Sequence, residues 1–172
     1  MQKGETCSAY SIAGYLEWLF FNELKQAKQV DAEAFAKETT LHGEGQKLGV
    51  VLDYAKQKGV PLVDGTRYKI KDYQRYLPQW TIAESGLKIS PMVFTMKIPL
   101  GLSLDEVVAK PPNVLSQLFK VHSMVLCGFD SIQQEFKVAN SRGSNFGNLG
   151  YFKLPYQLFN QMNVLDLYDI KL

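Results

Sequence analysis

The spacing of apolar residues changes near Gly86, and that change bounds what the chain can fold into. Before it, Ile12, Ala13, Leu16, Leu19, Phe20 and Leu24 recur at intervals of three and four, which marks one face of a helix. The pattern predicts a long first helix opening at Cys7, with the Thr6 hydroxyl as its N-cap. A short second helix is expected over residues 32–37, capped by Asp31. A third is expected over residues 48–58, closed by Gly59 in a left-handed conformation, with Pro61 preventing re-entry. Residues 39–45 hold two glycines and two threonines and read as a loop. Residues 70–77 form one more short amphipathic stretch before Pro78. After Gly86 the Val, Ile, Phe and Met content of residues 88–98 and 123–129 predicts buried strands. Residues 135–140, 151–154 and 165–170 predict further strands, with a helix over 113–119. Helices first and strands later is the order of an α+β fold with two lobes.

With 172 residues, the chain is expected to form one domain, a helical lobe over about 1–86 and a β-rich lobe over about 87–172. Its 46% apolar content suits a soluble globular core. Lys and Arg total 19 against 17 acids, and neither half carries the basic excess of a nucleic-acid binder. Apolar runs reach about four residues, far below the roughly 20 a membrane span needs. No leader pattern opens the sequence, and two cysteines make no disulfide framework. Together these favour a cytoplasmic protein, with secretion after removal of a leader as the alternative.

The chemistry-bearing residues are few: Cys7, Cys127, His42 and His122 are all the cysteines and histidines. Cys7 falls in the first turn of the first helix, where unpaired N–H groups and the macrodipole favour an anion. Cys127 lies inside the apolar run Met124-Val125-Leu126 and is expected as core filling. His122 opens a strand, and Asn140 closes the next one after a short connection over residues 130–134. A hairpin there would place His122 and Asn140 near the same end. An Asn oxygen can then hold one imidazole nitrogen and set the tautomer. A zinc site fits poorly, because His122 and Cys127 form the one close pair and structural sites use paired ligands. Gly43, Gly45 and Gly49 lack the spacing and the preceding strand of a dinucleotide loop.

Taken in order, these segments resemble the papain-like cysteine peptidases. Gln2-Lys3-Gly4-Glu5-Thr6-Cys7-Ser8-Ala9-Tyr10-Ser11 is similar to the family's Gln-Gly loop and its Cys-Trp-Ala-Phe-Ser helix start. His122-Ser123-Met124-Val125-Leu126-Cys127-Gly128-Phe129 resembles the His-Ala-Val-x-x-x-Gly-Tyr strand. Asn140-Ser141-Arg142-Gly143 and Phe146-Gly147-Asn148-Leu149-Gly150-Tyr151-Phe152 resemble the Asn-Ser-Trp-Gly and Trp-Gly-x-x-Gly-Tyr-Phe segments. The matches run from residue 2 to about 156.

The resemblance implies a two-lobed papain-like fold with the active site in the cleft. It implies hydrolysis of peptide or isopeptide bonds through a thioester, with no cofactor and no metal. Cys7 would be the nucleophile, His122 its acid–base partner and Asn140 the residue orienting His122. Gln2 and the Cys7 N–H would form the oxyanion hole. Gly43, Glu44 and Gly45 would pair with an extended peptide or protein substrate. A monomer is expected, and a weakly active or inactive module binding a protein partner in the cleft is the alternative. Departures are specific. Gln2 lies five residues before Cys7 rather than six, Ser8 replaces the Trp after the nucleophile, and Arg142 replaces the Trp after Asn-Ser.

Overall fold

The computed structural model describes residues 6–40, 46–99, 119–141, 147–161 and 164–172. Three helices come first: α1 (Cys7–Asn22), α2 (Ala32–Thr39) and α3 (Leu48–Gln57). Asp31 caps α2 by accepting from the Ala34 N–H at 3.0 Å, as its position in the sequence predicts. Gly59 follows α3 with φ +82°, a backbone state that costs side-chain-bearing residues energy and glycine nothing. The short strands β1 (Val60–Pro61) and β2 (Arg67–Tyr68) pair with each other.

A six-stranded antiparallel sheet carries the rest. Its strands are β3 (Asp72–Arg75), β4 (Met92–Pro99), β5 (Phe119–Asp130), β6 (Glu135–Asn140), β7 (Tyr151–Pro155) and β8 (Val164–Lys171). The order across the sheet is β3-β8-β4-β5-β6-β7. Helices α4 (Trp80–Leu87) and α5 (Tyr156–Gln161) complete the fold.

Period-2 alternation gives this sheet two buried faces. Val93, Val125, Tyr168 and Ile170 pack with α1, α2 and α3 in one core. Their neighbours Phe94, Met124, Leu126 and Leu167 join Phe136, Tyr156 and Phe159 in a second core, which also buries Ala83 of α4. Trp80 stacks on Tyr156 with ring centroids 4.8 Å apart. Gly86 lets α4 approach β4 closely, since a Cβ there would lie 2.5 Å from the Met92 sulfur.

Three expectations need correction. Residues 70–77 do not extend the helical half, because β3 lies there, paired with β8 and placed at the sheet edge. The change of grammar read at Gly86 falls inside α4. Phe119, expected at the end of a helix, opens β5; residues 113–118 of that helix lie outside the described residues. As a result His122 sits within β5, opposite Met96 of β4, rather than at its first position. The β5–β6 hairpin forms as expected, with Asp130 opposite Glu135.

Candidate active site

The start of α1 is anchored to β5 by hydroxyl groups. Ser11 Oγ donates to the Ser123 carbonyl at 2.7 Å, and Ser8 Oγ lies 2.9 Å from Ser123 Oγ in a buried contact. Ser8 follows Cys7 and Ser123 follows His122, so these bonds bring together the two chain segments that carry the thiol and the imidazole. Both side chains are largely buried, each residue being 7% exposed.

His122 and Asn140 meet directly. Nε2 of His122 lies 2.9 Å from Asn140 Oδ1. An amide oxygen only accepts, so in this arrangement Nε2 carries a proton. The hairpin explains the contact: β5 and β6 pair with Met124 opposite Asn140, two residues from His122. The amide nitrogen of Asn140 is buried with no hydrogen-bond partner among the described residues.

Thr6 takes the N-cap position of α1, but its side chain makes no cap hydrogen bond. Gln46 caps the first turn instead. Its Oε1 accepts from the Ala9 N–H at 3.3 Å, and its Nε2 donates to the Ala36 carbonyl at 3.0 Å and to Thr39 Oγ1 at 2.7 Å. The Gln46 carbonyl accepts from Ser8 Oγ at 2.8 Å. This one residue therefore ties the Cys7 end of α1 to the end of α2. Sequence reading missed it, because a glutamine ahead of a helix carries no pattern that points to a helix elsewhere.

Cys127 is not core filling. It lies at a bulge, where the β5–β6 register shifts between Leu126 and Gly128, and is half-buried. Its thiol donates to the Lys137 carbonyl at 3.3 Å, and burial pushes it up to about 11. It lines a cleft of about 200 Å³ with Tyr10, Gly14, Trp18, Asn140 and Tyr151. Gln2, His42, Gly43, Glu44, Gly45 and Arg142 lie outside the described residues.

No family model matches the chain, and no curated protein matches it in sequence. Solved structures do match. Xylellain, a cysteine protease from Xylella fastidiosa, superposes with a TM-score of 0.83 at 18% identity, over 96% of this chain and 79% of that one. The chain has the papain-like fold. The cysteine protease CMS1MS2 of Carica candamarcensis, in complex with E-64, superposes at 0.77 and 13% identity, over 97% and 88% of the two chains. Bromelain from Ananas comosus, bound to the E64 inhibitor, gives 0.73 at 15% identity, over 98% and 89%. The papain-like fold accounts for both halves of the architecture, the helical layer around α1 and the antiparallel sheet beside it. At such identities the likeness is one of fold, and the chemistry has to be argued from the residues themselves.

Proposed function

We propose that residues 1–172 work as one peptidase domain that cleaves peptide or isopeptide bonds with a Cys7–His122–Asn140 triad. The observation that carries this reading is the 2.9 Å contact between His122 Nε2 and Asn140 Oδ1, beside the point where the start of α1 is bonded to β5. With Nε2 on Asn140, Nδ1 is the nitrogen that would exchange a proton with the thiol.

In the resting pair the Cys7 thiol has given its proton to His122. The thiolate attacks the carbonyl carbon of the scissile bond, and the carbonyl π electrons move onto oxygen. Gln2 and the Cys7 N–H stabilise that oxyanion. As the tetrahedral intermediate collapses, the C–N bond breaks and His122 Nδ1 returns its proton to the leaving amine. A thioester remains on Cys7. Water then attacks the thioester while His122 takes its proton; collapse releases the acid and restores the thiolate–imidazolium pair. Throughout, Asn140 keeps the ring in one plane and stabilises its cationic form. Gly43, Glu44 and Gly45, immediately ahead of Gln46, would pair with a substrate held extended. The enzyme would act as a monomer. No helix among the described residues is long and apolar enough to cross a membrane.

Intact mass after treatment with a thiol-directed peptidyl electrophile tests the proposal. A single rapid adduct on Cys7 is expected, with Cys127 unlabelled. Slow labelling without preference between the two thiols would instead identify an inactive module whose cleft binds a protein partner.

A further inference from the structure

Ser8 and Ser123 stand at two positions where the papain-like pattern has Trp and Ala, and they face each other across the interior. Ser8 is fully buried, and Ser123 and Thr95 are 1% and 4% exposed. Thr95 Oγ1 lies 3.0 Å from Ser123 Oγ, directly across the β4–β5 ladder. The three buried hydroxyls and the half-buried Gln46 carbonyl thus form one chain.

Its polarity follows from counting protons. A carbonyl only accepts, so Ser8 Oγ must donate its single proton to the Gln46 oxygen. Ser8 can then only accept from Ser123, and Ser123 can then only accept from Thr95. The order Thr95 to Ser123 to Ser8 to the Gln46 carbonyl leaves every donor matched.

A pair of small apolar side chains would fill the Ser8–Ser123 space at about the same stability, since hydrogen bonds add little net once both partners can be replaced together. Apolar contacts, however, permit sliding, whereas a hydrogen bond weakens steeply when its length or angle changes. Each serine is the immediate chain neighbour of a proposed catalytic residue. A misplacement of about 1 Å between reacting groups can cost on the order of a hundredfold in rate.

We infer that Ser8 and Ser123 are positioning residues: their hydrogen bond, one turn ahead of the Ser11 bond to the Ser123 carbonyl, fixes the first turn of α1 against β5 and so keeps the Cys7 thiol and the His122 ring at working distance. The inference rests on the proposed triad. Thr95 orients the chain from its far end and leaves the Ser8–Ser123 bond standing when it is removed.

The test follows Cys7 alkylation by iodoacetamide as a function of pH, in a Cys127→Ala background, with mass spectrometry to place the adduct. The parent protein should react well below the free-thiol range near 8.5. Ser8→Ala and Ser123→Ala should each lose at least about tenfold at pH 6 and converge with the parent above pH 9, where every accessible thiol is ionised. The double alanine variant leaves neither serine without its partner but strips the Thr95 hydroxyl of its acceptor, so Thr95→Val is added where the double variant does not fold. It should lose no more than either single change. Thr95→Val, a core change of similar kind, should stay within about threefold of the parent. A double variant with the parent's rate and pH profile overturns the inference and leaves the triad standing. So does a loss of the same factor at every pH. A parent protein that reacts only through the free-thiol range overturns the triad, and the positioning role falls with it.

Discussion

Burial pushes the Cys127 thiol up to about 11, so at neutral pH it keeps its proton and remains a donor to the Lys137 carbonyl. A protonated thiol is a poor nucleophile, which separates this cysteine chemically from Cys7 in the first turn of α1. Cys127→Ala should therefore retain turnover. It removes one half-buried sulfur and one weak hydrogen bond, a stability loss below about 1 kcal/mol by urea titration. Cys7→Ala should abolish turnover with the fold intact. Asn140→Ala is the more informative change. Its contact with His122 becomes charge-assisted once the ring is an imidazolium, and such bonds are worth about 1.5–3 kcal/mol. That corresponds to a fall in kcat of roughly 10- to 150-fold. Stability should change little, because the substitution also removes the buried amide nitrogen that has no partner among the described residues. A variant with unchanged kcat would remove Asn140 from the mechanism. At this scale the meeting of His122 and Asn140 was readable from the hairpin between their strands. Ser123, Thr95 and Gln46 were not, because a serine, a threonine or a glutamine acquires its role from a partner tens of residues away.

Elements were legible where their own residues carry a period. Strand β6 spans Glu135–Asn140 as expected, and α2 begins at Ala32 behind Asp31. Strand β3 defeats such reading: its side chains, Asp72 to Arg75, are mostly exposed, so no apolar alternation betrays it. Its pairing partner lies at Tyr168–Lys171, near the other end of the chain. Helix α5 has six residues, too few to display a helical period, and α4 carries Gly86, a poor helix former. Where one element meets the next, two predictions follow from local chemistry. Arg67 of β2 donates to Glu38 of α2 through Nη1 at 3.1 Å and Nη2 at 2.7 Å. These bonds, joined by the Tyr54 hydroxyl, hold the Glu38 carboxyl below its ordinary value of 4.5. A lowered folded value means the contact stabilises the protein above that ordinary value and stops doing so as pH falls through the depressed one. Glu38→Gln should thus lower Tm more at pH 7 than at an acid pH below that ordinary value, flattening the acid side of the Tm profile. Equal Tm differences at both pH values would refute the coupling. At Gly59, φ +82° and a Cβ position 3.2 Å from the Tyr68 carbonyl oxygen would give a side chain a strained backbone and a tight contact. Gly59→Ala should cost about 1–2 kcal/mol from the left-handed backbone alone, measurable as a shift in the urea midpoint.

The last strand holds the whole molecule together. Strand β8 lies between β3 and β4 and supplies both cores, Tyr168 and Ile170 to the helical side and Leu167 to the other. Its Asp169 also reaches into the centre. There Oδ1 accepts from the Tyr15 hydroxyl of α1 at 2.8 Å and from Ser90 Oγ at 2.8 Å. Tyr15 is fully buried, and burial raises its hydroxyl well above the ordinary tyrosine range, so it acts only as a neutral donor. The helix that carries Cys7 is thus fastened at its start and at its middle. Ser8 and Ser11 fasten it to β5 near the site, and Tyr15 to β8 further along. Removal of residues 164–172 would strip β3 of its pairing strand, open both cores and leave the Tyr15 hydroxyl without its carboxylate. The expected result is loss of the near-ultraviolet circular dichroism signal and of any cooperative thermal transition. A truncated chain that melts cooperatively would show that the sheet stands without β8. Tyr15→Phe isolates one part of the effect. It deletes a hydrogen bond to a charged group, worth about 1.5–3 kcal/mol, and leaves Ser90 as the remaining donor to Asp169. The variant should stay folded with a lower urea midpoint, and Cys7 should keep its alkylation profile, because the Ser8–Ser123 contact that registers α1 near the site is untouched. A changed profile in Tyr15→Phe would mean that the position of Cys7 is set along the whole helix rather than at its first turn.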